Sequence, residues 1–426
     1  MKTRRWNHES GRVFSGPAVS AVFAGVSPAT NPGARRPGGR RDACPTTARF
    51  MGSVGRSVQR VNRVRCAPSL FALHALLLGA PSGALAQEAR LVNAQVQTRA
   101  ITSSLEMDFR SLVHGQVEPA WIGYSVPAIE GSHHICCYPS EEWRKPPLLR
   151  HGRCKLEGRD DGMNFNTNGD DDEPAGPDHV LVLFRVAEKS VGKIRIFTDD
   201  CELDAGGLAV NWLTDVKPRE SIALLNSFVE ANNSKVGRKM TESAIAAIAL
   251  HADPAADVTL EKFVDAKYPE EVRKNTAFWL GNLRGQKGYE ILRRLVRDDP
   301  SDKVREHCTF ALHISKAPEA VNAMIDAARG DKSAHVRGQA LFWLAQKAGE
   351  KAVKAISDAI QDDPETEVKK KAVFALSQLP KDQGVPKLIH VARTNRNKEV
   401  RKDAMFWLGQ SNDPRALAFF EEVLTR

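Results

Sequence analysis

His133, His134, Cys136 and Cys137 stand within five residues of one another and have the donor types of a zinc or copper site. Cys154 and Cys201 follow at a distance, so four of the five cysteines beyond residue 86 crowd into the segment from 136 to 201. In an oxidising compartment two disulfides compete for the same sulfurs, and disulfides are the expectation here. Adjacent cysteines rarely bridge each other, so Cys136 and Cys137 are each expected to pair with Cys154 or Cys201, the connectivity being left open. No metal is assigned, and His133 and His134 remain candidates only if the thiols prove free.

A second group is oxygen-rich. Between Glu157 and Asp178 run Asp160, Asp161, Asn164, Asn166, Asn168, Asp170, Asp171, Asp172 and Glu173. The stretch Asn164-x-Asn166-x-Asn168-Gly169 imitates the opening of a calcium loop, but its twelfth position, where a bidentate Glu should close the cage, is Ala175. The expectation is a solvated polar loop. No haem-attachment, nucleophile-elbow, phosphate-loop or zinc-protease motif is present. No cofactor is implied, and the chain reads as a binding protein rather than an enzyme.

The third group is periodic. Arg273, Arg305, Arg337, Lys369 and Arg401 recur every 32 residues, each preceded by Val, with Asp299, Asp331, Asp363 and Asn395 in a common phase between them. Charged pairs repeated in every unit would hold neighbouring units in register.

What positions these residues is an internal repeat. Four residues after each Val stands a small residue (Thr276, Cys308, Ala340, Ala372, Ala404) and eight after it a Leu (Leu280, Leu312, Leu344, Leu376, Leu408). Spacings of 0, 4 and 8 share one helical face. A second apolar stripe at Leu292, Met324, Ile356, Leu388 and Phe420 makes each unit helix, turn, helix. Weaker copies reach upstream through Met240, Ala244, Ile248, Leu260 and Phe263, with a lone stripe at Leu225 and Phe228, giving about six units from residue 217 to 426. The pattern V-R-x-x-A-x-x-x-L resembles the HEAT repeat, in the shorter form also found in phycobilisome-lyase-type proteins. The resemblance implies an all-α superhelical solenoid used chiefly as a scaffold. It also implies that the basic residue of each first helix bonds an acid of the turn before it. The iron-binding His-Glu pairs of deoxyhypusine hydroxylases do not occur in these repeats, so that activity is not implied.

Six residues after each Val stands Phe278, Phe310, Phe342, Phe374 or Phe406, about 150° from the apolar face. Two readings stay open: rings filling gaps between stacked first helices, or a ridge that docks a partner. The next column, Trp279, Ala311, Trp343, Ala375, Trp407, alternates large and small and suggests a 64-residue ancestral pair. A partner protein or peptide is expected on the concave face of the second helices, where polar residues such as Arg293, Arg294, Asp326, Asp358, His390, Glu421 and Glu422 vary from unit to unit.

Residues 87–216 read instead as a small β-rich, disulfide-stapled domain, from segments such as Arg90–Ile101, Val180–Val186 and Val191–Phe197. Residues 1–86 read as a leader: Arg56, Arg60, Arg63 and Arg65 precede an apolar run from Leu70 to Leu78 and an Ala84-Leu85-Ala86 ending, as in a secretory signal peptide cleaved after Ala86, with Met51 an alternative start. Of 61 basic and 52 acidic residues, the leader takes 13 and two, leaving 48 against 50 and removing the charge that would favour nucleic acid. No later stretch approaches the roughly 20 apolar residues of a spanning helix. A periplasmic or secreted location follows. N-terminal sequencing of the exported protein is expected to begin at Gln87; a start well away from it would remove the signal-peptide reading.

Overall fold

The computed structural model describes residues 89–131, 134–137, 153–158, 163–166, 178–230, 235–347 and 349–425. The leader, His133 and most of the acidic loop lie outside these. Strands β1 (Leu91–Val92) and β2 (Gln95–Ala100) lead into helix α1 (Leu105–Gly115), β3 (Ala120–Pro127), β4 (His134–Cys137), β5 (Arg153–Lys155) and β6 (Met163–Asn166). Then come β7 (His179–Ala187), β8 (Ser190–Thr198), β9 (Glu202–Asp204) and β10 (Ala209–Thr214).

Five strands form a mixed sheet in the order β2-β10-β3-β7-β8, parallel where β10 meets β2 and β3 and antiparallel from β3 to β8. The inner strands β10, β3 and β7 are buried on both faces, so their side chains alternate between two cores, while the edge strand β2 is exposed. Ile122, Tyr124, Val182 and Phe184 face α1 and the helices that follow. Trp121, Leu181, Leu183 and Trp212 face the small parallel sheet β1-β9-β5 and the cysteines. Helix α1 was not anticipated from sequence: Ser104 caps it, and Leu105, Phe109 and Val113 bury its inner face.

Thirteen described helices follow. The first, α2 (Pro218–Glu230), is alone; six hairpins then pair α3 (Lys235–Leu250) with α4 (Ala255–Phe263), α5 (Glu270–Leu283) with α6 (Gly285–Asp298), and α7 (Asp302–Ile314) with α8 (Ala320–Gly330). The last three pair α9 (Ala334–Lys347) with α10 (Glu350–Asp362), α11 (Thr366–Ser377) with α12 (Lys381–Thr394), and α13 (Lys398–Gln410) with α14 (Pro414–Leu424). First helices pack side by side along the stack. Small residues set the hairpin approach at one 32-residue column, Gly288, Ala320, Ala352, Gly384 and Ala416, all buried. A Cβ on Gly288 would lie 2.0 Å from the Leu280 carbonyl oxygen, so this crossing admits no larger residue without backbone movement.

The charged ladder exists, but its rungs run forward rather than back. Nε and Nη2 of Arg273 donate to Asp299 at 2.9 and 3.1 Å, those of Arg305 to Asp331 at 2.8 and 3.0 Å, and those of Arg337 to Asp363 at 2.7 and 3.0 Å. Each acid lies 26 residues downstream, in the turn that follows the unit. The preceding turn supplies a backbone carbonyl instead: Nη1 of Arg305 donates to Asp299 O at 2.8 Å and Nη1 of Arg337 to Asp331 O at 2.9 Å. The sequence expectation of an acid from the turn before is therefore corrected, because one guanidinium edge is occupied by that carbonyl and the fork points onward. Among the described residues Lys369 makes no acid pair; its Nζ donates to Gln361 O, while its phase partner is the neutral Asn395. Among the described residues Arg401 keeps the carbonyl contacts alone, to Asn395 O and Arg396 O.

The sheet and the solenoid share one core. At their junction His251, at the end of α3, is fully buried: Nδ1 donates to Ala247 O at 2.7 Å, which leaves Nε2 to accept from the Ser221 hydroxyl at 2.8 Å. Ser221 in turn accepts from the Tyr124 hydroxyl at 2.9 Å. Backbone bonds Ile129 N to Leu250 O and Ala252 N to Pro127 O close the seam.

Two predictions follow from these contacts. Arg305→Ala is expected to cost about 3–5 kcal/mol, since it leaves Asp331 buried without its partner, whereas Arg305→Met with Asp331→Leu should recover most of the loss; thermal and urea melts of the set check it, and an Arg305→Ala melt equal to that of Arg401→Ala would refute the ladder. Burial lowers His251, and likewise His307 and His313, from 6.5 to about 4. Folded-state values below the unfolded one mean that stability is complete above about pH 6.5 and drains away toward pH 4. For His251 alone the shift corresponds to about 3 kcal/mol. A melting temperature flat from pH 7 to 4.5 would contradict this.

Candidate functional site

Helices α6, α8, α10 and α12 carry Arg293 and Arg294, Asp326, Asp358, and His390 respectively. All are exposed except Asp358, which is half-buried. Several are engaged by neighbouring units. Arg294 pairs with Glu261 of α4, Arg329 with Asp358 at 3.0 Å, and Arg393 with Glu422 of α14. Lys354, and then Arg329, hold the Asp358 carboxyl below its usual range. Exposed pairs of this kind contribute at most about 1 kcal/mol each, but they neutralise the charges they join. Arg293, Asp326 and His390 make no ion pair among the described residues.

Arg293 and Asp326 do meet at one place, a groove of about 420 Å³ between α6 and α8. Val296, Ala323 and Ala327 give it an apolar wall, Arg297 and Lys332 join Arg293 on its edge, and the Arg305–Asp331 rung lies against it. Arg297 is paired with its neighbour Asp298, while Lys332 makes no ion pair among the described residues. The arrangement suits an extended segment that presents a carboxylate beside small apolar side chains. Lys332 was missed in the sequence because it follows no column of the repeat, whereas Arg297 shares a 32-residue column with Arg329 and Arg393 that was not singled out. His390 lies on a different helix pair and does not line this groove.

The phenylalanine column is engaged in ring contacts between neighbouring first helices. Phe278 stacks on Phe310 with centroids 6.3 Å apart, and Phe342 on Phe374 at 6.0 Å; Phe310 then meets Trp343 at 4.9 Å and Phe374 meets Trp407 at 4.8 Å. Stack and tilted contact alternate, as the 64-residue alternation of Trp and Ala requires. Phe310 is buried, and Phe278, Phe342 and Phe374 are half-buried, so a continuous docking ridge is not available on these four rings. Phe406 stands apart at 55% exposed.

In the N-terminal domain the cysteines form two disulfides, Cys136–Cys201 and Cys137–Cys154. Their sulfurs are unavailable to a metal. His134 Nδ1 is 2.7 Å from Asp200 Oδ2, and among the described residues no three His, Cys, Asp or Glu side chains could hold an ion. The expected solvated polar loop is corrected in part: Asn164 and Asn166 belong to strand β6, paired in register with Cys136 and His134 of β4. The rest of that segment, Asn168 to Ala175 included, lies outside the described residues. Cys308 is a free thiol, fully buried, and burial raises its pKa.

The HEAT-repeat family profile matches residues 256–345, 321–406 and 353–426. No curated protein sequence matches the chain. Among solved structures, human deoxyhypusine hydroxylase in complex with glycerol is similar over 48% of this chain and 77% of its own, at 20% identity and a TM-score of 0.21. The CpcE–CpcF complex of phycocyanin lyase from Nostoc sp. is similar over 36% of this chain and 99% of its own, at 24% identity and a TM-score of 0.29. The Cnd3–Cnd2 condensin subcomplex of S. pombe is similar over 47% and 28%, at 18% and 0.31. From the 32-residue columns, the stacked hairpins and the profile match together, residues 256–426 are HEAT repeats and the chain is a HEAT-repeat domain protein.

Proposed function

We propose that this protein is an exported scaffold that binds a protein or peptide across its second helices, with the α6/α8 groove seating an acidic segment of that partner. HEAT solenoids are typically interaction scaffolds. The observation that carries the reading is the groove itself: about 420 Å³, an apolar wall, and two cations, Arg293 and Lys332, without an acidic partner among the described residues. The first-helix face offers less, since its aromatic column is used for stacking. The leader and the two disulfides support an oxidising compartment, periplasmic or secreted. No helix among the described residues is long and apolar enough to cross a membrane.

A photo-cross-linking side chain at position 326, compared with one at the exposed position 303 on α7, tests the surface. Adducts are expected at 326, and Arg293→Glu with Lys332→Glu should weaken binding of the captured partner roughly tenfold while leaving the melting temperature unchanged. Equal adduct formation at both positions, or insensitivity to the charge reversal, would remove the groove from the function.

A further inference from the structure

The two disulfides sit on neighbouring residues yet meet different surroundings. Cys136 and Cys201 are 7% and 0% exposed, within the core of the small sheet. Cys154 is equally buried, but Cys137 is half-exposed. Against the second pair lies Arg195 of β8, fully buried. Its Nη1 donates to the carbonyls of Lys155 and Leu156 at 2.6 and 3.0 Å. Its Nη2 lies 3.5 Å from Cys137 Sγ and 3.4 Å from Cys154 Sγ, and the guanidinium covers the Phe197 ring at 4.9 Å. A permanently protonated group is thus held, by bonds to backbone, directly against both sulfurs of one disulfide.

We propose that Cys137–Cys154 is a thiol-exchange site whose co-substrate is an anionic thiol, and that Cys136–Cys201 is the structural bond beside it. Exchange proceeds by attack of a thiolate on the more accessible sulfur, and it is faster when the departing thiol has a lowered pKa. Here the incoming thiolate attacks Cys137 Sγ, forming a mixed disulfide there and expelling Cys154 as thiolate. Arg195 Nη2, already within 3.4 Å, receives that charge. A second thiolate then attacks the outer sulfur of the mixed disulfide, releasing a small-molecule disulfide and leaving Cys137 as thiolate. Two thiols are oxidised, one protein disulfide is reduced, and the protons the two thiols lost on ionising end on Cys137 and Cys154. A cation beside a thiol favours the thiolate, as at other reactive cysteines, so Arg195 acts as a positioning residue for both attack and departure. Opening frees a closure of 17 residues while Cys136–Cys201 still ties β4 to the segment entering β9.

The oxidised wild-type chain is treated with graded 2-mercaptoethanesulfonate, 2-mercaptoethanol or cysteamine at matched thiolate concentration, alkylated, and mapped by peptide mass. Cys137 and Cys154 are expected to be labelled before Cys136 and Cys201, with the trapped mixed disulfide on Cys137. The rate ratio of the sulfonate thiol to cysteamine should exceed that for a small linear disulfide peptide by roughly threefold or more, the field of one nearby charge. Arg195→Gln should abolish that excess and Arg195→Lys retain part of it. Arg195 is buried, and the wild-type charge series decides independently of whether Arg195→Gln folds. Both disulfides opening together at every dose, a mixed disulfide on Cys154 or Cys136, or a ratio equal to the peptide's overturns the proposal.

Discussion

A buried guanidinium that reaches backward to a carbonyl and forward to a carboxylate is the constraint on which the solenoid depends. In Arg305 the backward edge takes the Asp299 carbonyl and the forward fork takes Asp331, so one side chain touches the turns on both sides of its unit. Each acid is fixed in its own turn as well, for Asp299, Asp331 and Asp363 accept from the backbone N–H two residues on. A buried pair with every lone pair used is tolerable, whereas an unmatched one is costly, and this makes the interval between units hard to change. The exception is consistent with the rule. Where the acid is replaced by Asn395, the base is Lys369, which turns away to a carbonyl rather than facing a neutral amide with a full charge.

The aromatic columns divide labour between the two faces of the stack. Because first helices pack side by side, a residue pointing away from the hairpin core still meets the next first helix, and the Phe rings are consumed there in alternating contacts with Phe and Trp. Three junctions between second helices are bridged by long charged side chains, and the α6/α8 cleft lies at a junction with no such bridge among the described residues. The face with loose, polar inter-unit contacts is therefore the face with room for a ligand.

Fold and site were legible to different degrees for physical reasons. A 32-residue interval exposes every residue that repeats, so the hairpins, the ladder members and the aromatic columns could be read directly. It cannot tell which neighbouring unit a side chain reaches, and the forward direction of Arg273, Arg305 and Arg337 was lost for that reason. In the N-terminal domain, alternation or an apolar β-branched run marked β2, β7 and β8; β3 and β10 are, like β7, buried on both faces and give no two-residue signal. Helix α1 carried a legible cap and stripe at Ser104, Leu105, Phe109 and Val113, but was passed over among strand-like segments. The groove at Arg293 and Lys332 was only half visible, because Lys332 belongs to a turn outside any repeated column.

The way the stack begins shows why the sheet is there. At the phase of the ladder arginines, the hairpin α3/α4 has Thr241, which donates to the Phe228 carbonyl and needs no counter-charge. Arg284 does the joining instead, with Nε on Asp257 and Nη1 on the carbonyls of Ala249 and His251, so it ties α5/α6 to the end of α3. Beyond it the contacts become neutral: Tyr124, Ser221 and His251 pass hydrogen bonds in a single direction from sheet to helix. An open solenoid end would expose the apolar flank of α2 and α3, and the five-stranded sheet covers it with Ile122, Phe184 and Ile196. The sheet meets the helices through its apolar face, with the Glu220 carboxylate of α2 accepting from Leu105 N at the edge, and the charged ladder starts at Arg273.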